Sequence, residues 1–549
     1  MRRLVHGDVT VKAIAGTHVV FLAMDMSEAK AKNLMGFAIQ REDKVEKETV
    51  WLRGNKRFGE GSTFSNYSSL EHPFQVFQWA DYTAKPGYDY VYTVYPMFGK
   101  PGQLKRGKGT AVPVTTETPE GQSHSIYFNR GAIASQAYVK KFGRRDPDDA
   151  GPEALEWLAR DLLDGMLSFI ARAKDGEYAL HAAIYECRFA PVLEALAAAK
   201  KRKVKVHLIY GAKPKDKIAA ESIKAIKAAG LTSVATPRKK AKIAHNKFIV
   251  LSKNGAPIAV WTGSTNLSRN AIYGQLNVGH AVNSPSLARA FMAYWNELKP
   301  DPATDVVRTW TEQNNLVTID DEVMKLDCVF SPRSGRSAFD WYIDIASQAK
   351  RGLFMSFPFG IVTDFRPVYD QNDNVLRYAL LEKYVNGGNE ASRKAAVDDT
   401  IRIRKYPNVG MAVGEYIKVD TIDGWIRERG GIGTNVNWVH TKFMIVDPMG
   451  ADPIVITGSA NWSLPSVNEN DENMIVVRGD TRVSDIYFGE FMRIFAHHRF
   501  REAIARQLQQ HGNLGDWKPS ALFENPRDWV PQHYKAGSEY ALRRLYFAG

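Results

Sequence analysis

His245-Asn246-Lys247, followed by Gly263-Ser264-Thr265-Asn266, occurs again as His440-Thr441-Lys442, followed by Gly458-Ser459-Ala460-Asn461. In both copies the Gly lies 18 residues after the His and the Asn 21 after it. An apolar run follows each Lys at once (Phe248 to Leu251; Phe443 to Val446), and a second leads into each Gly (Ile258 to Trp261; Ile454 to Ile456). Two copies of one polar constellation imply one site built from two halves. A third triplet, His533-Tyr534-Lys535, has neither the apolar run nor a Gly-Ser-x-Asn behind it. It reads as chance, since a Lys-rich chain with 13 histidines should hold about one such triplet at random.

Outward from the motifs, strands alternate with helices. Pro152 to Ala173 reads as one amphipathic helix with Leu155, Leu158, Leu162, Met166 and Ile170 on one face. Tyr178 to Ile184 and Val204 to Tyr210 read as strands, and Pro191 to Lys200, Ile218 to Ala229 and Ser284 to Leu298 as helices. The second half repeats the order more loosely. Ala338 to Lys350 is expected helical, Leu353 to Phe357 a strand, Leu376 to Tyr384 a helix, Ile401 to Lys405 a strand and Val483 to His498 a helix. Such alternation predicts α/β sheets with helices on their faces.

Residues 1–118 read differently, as short strands separated by Pro, Gly and Asn. Pro86 to Val94 alternates with period two and resembles the tyrosine-bearing sixth strand of a fibronectin type III or immunoglobulin-like sandwich. Gly36 to Arg41 resembles that fold's third strand. The Tyr row is read as core and corner packing. Lys100 to Ser123, rich in Gly, Pro and Thr, reads as a linker. The expected domains are an all-β sandwich (1–118), two α/β halves (119–310 and 311–500) and a tail packed on the catalytic body (501–549).

Composition agrees with a large globular protein: 549 residues, 44% apolar and 24% charged. The first residues lack the apolar core of a signal peptide, and no apolar stretch reaches the roughly 18 residues of a membrane span. Two cysteines, Cys187 and Cys328, exclude a disulfide framework and a zinc-thiolate site. A reducing cytoplasm is the expected compartment, with export by a route needing no N-terminal signal as the alternative.

The net charge of +13 is concentrated. From Lys200 to Lys247 there are fifteen Lys/Arg against Asp216 and Glu221, so this segment supplies the whole excess. The clusters around Lys200 and Lys213 suit a solvated helical surface. Arg238, Lys239, Lys240 and Lys242 run directly into His245, and are expected to attract a polyanionic substrate.

Along a strand, residues two apart share a face, so His245 projects with Lys247 and His440 with Lys442. Each Gly lets backbone approach a ligand, while Ser264, Asn266, Ser459 and Asn461 offer hydrogen bonds. The lysines and asparagines would hold a phosphoryl group. One His could attack phosphorus while the other protonates the leaving oxygen and later activates water. This chemistry needs no metal ligand set and no cofactor.

The arrangement resembles the phospholipase D superfamily, whose signature is two copies of His-x-Lys-x4-Asp followed by Gly-Ser/Gly-x-Asn. The second copy, ending at Asp447, fits in full, and the resemblance covers roughly residues 125–500. It implies two similar α/β halves facing across a pseudo-twofold axis and a metal-free reaction through a covalent phosphohistidine. It also implies His245 as nucleophile and His440 as general acid. The first copy departs from the pattern, with Ser252 at the Asp position. For the carboxylate that orients the His, the second half offers Asp471-Glu472-Asn473, of which Glu472 is favoured, and the first half offers Gln275-Leu276-Asn277, where Gln275 is read as the counterpart. The expected substrate is a phospholipid, with contact to an anionic membrane or other polyanion. The alternatives are a nuclease of the same superfamily and a non-catalytic polyanion-binding module.

Overall fold

The computed structural model describes residues 1–59, 66–131, 138, 141–143, 145, 147–314, 317–320, 324–384, 389–414, 438–511 and 521–549. Each His-x-Lys motif opens a strand at the middle of a mixed sheet. In the first sheet the strand order is His124–Phe128, Val278–Val282, Ala256–Gly263, Lys247–Lys253, Tyr178–Ile184, Lys205–Gly211, Ala235–Arg238. In the second it is Val317–Asp320, Lys325–Ser331, Glu472–Arg478, Ile454–Gly458, Phe443–Val446, Gly352–Phe357, Leu376–Leu381, Val409–Val413. Apart from the edge strand Val317–Asp320, the second order repeats the first.

The central strands are covered on both faces, which is why they read as unbroken apolar runs. Phe248, Val250, Phe443 and Ile445 point into one core shared by both sheets, together with Phe291 and Tyr294 of helix Pro285–Leu298 and Tyr487 and Phe491 of helix Thr481–His511. Their strand neighbours face the other way. Ile249 and Leu251 meet the helices of the first half, and Met444 and Val446 those of the second.

Three element readings are corrected. Leu376–Leu381 is a buried parallel strand, whose apolar run cannot be told from a helix by periodicity. Glu390–Ile403 is a helix that Asn389 caps by accepting from the Ser392 amide (2.9 Å), so Ile401 is exposed and Ile403 buried. The helix expected over Pro152 to Ala173 is two helices, Pro152–Ala159 and Asp161–Ala171, broken at Arg160 with φ +48°.

The N-terminal region forms two sheets. One has the order Arg2–Val5, Thr10–Ala15, Val20–Asp25, Gln78–Asp81. In the other, Asp89–Lys100 pairs with Gly36–Asp43 and also with Thr110–Thr115, and Glu48–Trp51 pairs with Gly36–Asp43. Strands Gln103–Arg106 and Thr110–Thr115 therefore occupy much of the segment read as linker. This region is joined firmly to the α/β body. Phe21 packs on Phe488 and Phe547 (centroids 5.3 and 4.9 Å), and Arg2 pairs with Asp485 (2.7 Å). The tail serves both parts, with Trp529 and Val530 in the core of the N-terminal sheets and Phe547 in the shared core. His533 is buried against Phe77 and Trp529 (4.8 and 5.4 Å). Among the described residues no helix is long and apolar enough to cross a membrane.

Candidate active site

Both motifs meet where the two sheets abut. The carbonyl of Trp438, two residues before His440, accepts from the Leu276 amide (2.7 Å), and the carbonyl of Ile243, two before His245, accepts from the Asp471 amide (3.0 Å). The same contact thus runs in both directions between the halves. It places the residue after each donor, Asn277 or Glu472, beside the opposite half's histidine.

That residue holds the imidazole. His245 Nδ1 lies 2.8 and 2.9 Å from the two carboxylate oxygens of Glu472, and His440 Nδ1 lies 2.8 Å from Asn277 Oδ1. Each support is therefore given across the halves. The amide nitrogen of Asn277 donates to the Ala271 carbonyl (2.9 Å) and its oxygen accepts from Ser264 Oγ (2.8 Å), so the oxygen faces His440. Both acceptors draw the ring proton to Nδ1 and leave the Nε2 lone pair for chemistry.

The residue supporting His440 is therefore Asn277, not Gln275. Asn277 and Glu472 each lie 32 residues after the first motif His of their own half, and matching that interval would have found it. Gln275 instead accepts from Asn129 Nδ2 through its backbone carbonyl (2.7 Å).

The turns serve the same geometry. A Cβ at Gly263 (φ +139°) would run into the Val278 carbonyl, and one at Gly458 (φ +158°) into the Asn473 carbonyl. Ser264 and Ser459 then lock the strands carrying the supports, accepting through Oγ from the amides of Val278 (3.1 Å) and Asn473 (3.0 Å). Asn266 Nδ2 donates to Glu186 Oε1 (3.2 Å). Glu186, which no sequence pattern marked, is buried and pairs with Arg188 (3.0 Å). Tyr185 packs its ring on His245 (5.4 Å). The side-chain oxygens of Asn266 and Asn461 are buried without a hydrogen-bond partner among the described residues.

The electrostatics favour an anion. Lys247 and Lys442 are 1% and 0% exposed, and each donates to the carbonyl of its own motif histidine (2.5 and 2.6 Å). Burial brings Lys247 down to about 8, against the pull of Glu472 and Glu186. Burial and the Lys247 charge hold Lys442 well below the usual lysine range. Burial also lowers His245, with Glu472 opposing it. His440 is held well below the usual histidine value by burial and by Lys442 and Lys247, and its Nδ1 partner is an amide oxygen. Burial would raise Glu472, but His245 and Lys247 bring it below the usual carboxylate value.

The remaining expected residues fall away from this centre. Arg238 is corrected from substrate attraction to structure. It is buried, paired with Asp471 and Asp301 (both 2.9 Å), and donates to the Pro302 carbonyl. Its charge is spent on fixing the residue next to Glu472. Lys239, Lys240 and Lys242 remain exposed. Asp447, at the far end of strand Phe443–Val446, accepts from the amides of Lys350, Arg351 and Gly352 (2.8 to 2.9 Å). Its replacement by Ser252 in the first copy therefore removes nothing from the site.

A family model described as cardiolipin synthase, PLD-like domain, matches residues 166–299 and 401–495, which contain both His-x-Lys motifs and both Gly-Ser-x-Asn turns. The matched segments lie in both α/β halves, which are in this respect similar to a phospholipase D-like domain. No curated protein matches it. Among solved structures it is similar to the phosphatidylserine synthase of Haemophilus influenzae Rd KW20 at 10% identity, over 71% of this chain and 94% of that one, with TM-score 0.45. It is similar to the phospholipase D family member Nuc from Salmonella typhimurium at 24% identity, over 24% and 83%, with TM-score 0.21. It is also similar to yeast tyrosyl-DNA phosphodiesterase at 10% identity, over 58% and 88%, with TM-score 0.34.

Proposed function

We propose that this chain is a phosphodiesterase that passes its substrate's phosphoryl group through a covalent phosphohistidine, and that the substrate is a phospholipid. The observation that carries the reading is the pair of imidazoles, each pinned at Nδ1 from the opposite half, beside two buried lysines. Such a centre is pre-organised for an anion whose charge is redistributed during reaction.

In the first step the Nε2 lone pair of His245 attacks phosphorus, the bond to the leaving oxygen breaks, and His440, protonated at Nε2 once the anionic substrate binds beside it, gives that oxygen its proton. The His245 ring becomes cationic, and Glu472 at 2.8 Å stabilises it. Lys247, Lys442, Asn266 and Asn461 surround the non-bridging oxygens. In the second step water attacks the phosphohistidine and the free Nε2 of neutral His440 takes its proton. The P–N bond breaks and His245 is restored.

The phospholipid reading is supported by the family model, whose description names cardiolipin synthase. The exposed Lys239, Lys240 and Lys242 beside the His245 loop suit an anionic lipid surface. The same lysines favour the second reading, a nuclease, because they suit a phosphate backbone equally. For the N-terminal sheets we propose a fibronectin type III-like sandwich. Its support is the strand order and the Tyr90 hydroxyl, which accepts from the Lys85 amide (2.9 Å) as a tyrosine corner does.

The test is turnover by purified protein of phospholipid vesicles and of single- and double-stranded nucleic acid, with and without EDTA. The expected result is vesicle turnover that survives EDTA and disappears in His245→Ala and His440→Ala. Full activity in either variant, or loss on chelation, would sink the mechanism, and turnover of nucleic acid alone would transfer it to the nuclease reading.

A further inference from the structure

The N-terminal sheets carry a second apolar face. In strand Gly36–Asp43, Phe37 and Ile39 point into the core between the two sheets, and Ala38 points the other way. In strand Asp89–Lys100, Tyr92 and Val94 face that core, while Tyr95 and Met97 take the other side. The outer face of a two-layer β fold is ordinarily polar. Here Met97 meets Phe58 and Leu104, and Leu522 of the tail packs onto them. The tail is fixed in place. The Leu522 amide donates to the Arg57 carbonyl (2.8 Å), and Gln75 bonds both the amide and the carbonyl of Phe523 (2.8 Å each). Beside it lies a cavity of about 770 Å³, with Phe58, Leu70, Met97 and Leu104 as its apolar wall. That is the size of a small-molecule site.

Four charged side chains line the same cavity, Arg57 and Arg106 against Glu71 and Glu524. Among the described residues none of the four has an ion-pair partner, so no nitrogen of either arginine comes within 4.0 Å of either carboxylate. The arginines lie over aromatic rings instead, Arg57 over Tyr67 (5.3 Å) and Arg106 over Tyr95 and Trp51 (5.3 and 5.7 Å). His72 adds no third cation. Its Nδ1 accepts from the Phe58 amide (3.3 Å), and burial and the Arg57 charge lower it below the usual histidine value. Opposite charges that share a cavity without neutralising one another leave both poles for a ligand. We infer that this cavity binds a zwitterionic amphiphile, an alkyl phosphate ester whose head also carries an ammonium group. The arginines take the phosphate, for which guanidinium is well shaped. Glu71 and Glu524 take the ammonium group, and the Phe58 ring adds a cation–π surface. The tail lies on Leu70, Leu104 and Met97, whose thioether adapts to its shape. A purely anionic ligand would leave both glutamates facing its charge. The cavity is separate from both His-x-Lys motifs, and binding there breaks no bond.

The experiment is calorimetric titration of octylphosphocholine, kept below its micelle concentration, into the full chain carrying His245→Ala, so that cleavage adds no heat. Octylphosphoethanolamine separates the two sources of a zwitterionic head. Octyl phosphate, octyltrimethylammonium and phosphocholine each lack one pole or the tail. Both zwitterions should bind one per chain, and each of the three part-ligands about 10-fold or more weakly, the worth of one charged contact. Glu71→Gln with Glu524→Gln should weaken octylphosphocholine by about 10-fold and leave octyl phosphate bound at least as well. Arg57→Met should weaken both. The two glutamates are exposed, so their replacement leaves the fold alone. Leu104→Trp, which fills the cavity, is the second design and should abolish binding. Octyl phosphate binding as tightly as octylphosphocholine overturns the inference, as does the absence of saturable binding. Unchanged affinity in the double glutamate variant places the amphiphile elsewhere and overturns it too. None of these results depends on turnover, so failure of the phosphotransfer reading leaves the binding result standing, and the reverse.

Discussion

Replacing Glu472 by Gln tests the reading that His245 carries the phosphoryl group. The carboxylate lies 2.8 Å from His245 Nδ1 and is completely buried, so it is little screened by solvent. When Nε2 is phosphorylated the ring gains a positive charge about 4 Å from the carboxylate centre, and at an effective dielectric of 20 that attraction is about 4 kcal/mol. Its removal corresponds to about a thousandfold, at about 1.4 kcal/mol for each factor of ten. A second effect acts in the same direction. Asn470 Nδ2 donates to Glu472 Oε1 (3.2 Å), so a Gln there would turn its carbonyl toward Asn470 and its amide nitrogen toward His245. The ring proton would then move to Nε2, where the nucleophilic lone pair is needed. The analogous Asp-to-Asn change in the serine-protease triad costs about 10,000-fold in kcat. The assay is rapid quench with a radiolabelled aryl phosphodiester under single-turnover conditions, following label bound to protein. E472Q should form phosphoprotein about 1,000-fold more slowly than the wild-type chain, with near-native circular dichroism. Label formation within about threefold of wild type would refute the assignment of Glu472 to the phosphorylated histidine.

Three further outcomes follow from the charges in the site. Lys247→Met should abolish turnover yet stabilise the ligand-free chain, by at most about 3 kcal/mol, because a buried lysine lowered from 10.5 to about 8 costs about that much while it remains charged. The unfolded lysine binds more protons than the folded one between those values, so the gain is full below pH 8 and disappears as pH rises through 10.5, and chemical denaturation at pH 7 and pH 10.5 measures it. Tungstate, a phosphate mimic, should bind more weakly as pH rises above about 8 and Lys247 loses its proton, and affinity by calorimetry that is flat from pH 7 to 9.5 would contradict the lowered lysine. Arg238→Met leaves Asp471 buried and unpaired and should cost about 3–5 kcal/mol of stability, whereas joint replacement of Lys239, Lys240 and Lys242 by Ala should leave the unfolding midpoint unchanged and raise KM for vesicles in a salt-dependent way.

The polar pattern was legible because it repeats. A single His-x-Lys carries no weight, but equal intervals to Gly and Asn in two places reflect equal strand lengths and turns, and the structure shows both. The same logic reaches Asn277, whose interval from His245 equals that of Glu472 from His440, yet a search for a carboxylate-like side chain stops at Gln275. What sequence could not supply was which half each support serves. That depends on the Trp438–Leu276 and Ile243–Asp471 contacts, which join residues more than 160 positions apart. Arg238 was misread for a related reason. Charge counting sums a cluster without knowing which members are buried, and Arg238 is neutralised by Asp471 from the other half while Lys239 and Lys240 stay in solvent. The strand Leu376–Leu381 failed differently, since burial on both faces erases the alternation that distinguishes a strand.

The crossed supports give the asymmetry its meaning. Were each histidine held from within its own half, the acid would belong to His440, whose motif retains Asp447. Because each support crosses, the carboxylate reaches His245 in the half that lacks the motif Asp, and Asp447 only ties backbone amides at the far end of its strand. Completeness of the motif is therefore a poor guide to which half does which chemistry. The histidine with the carboxylate can bear the positive charge of a phosphoimidazolium, and the histidine with the amide can return to neutrality after taking a proton from water. A single change of Glu to Asn at one of two equivalent positions would be enough to divide those roles between otherwise matching half-sites.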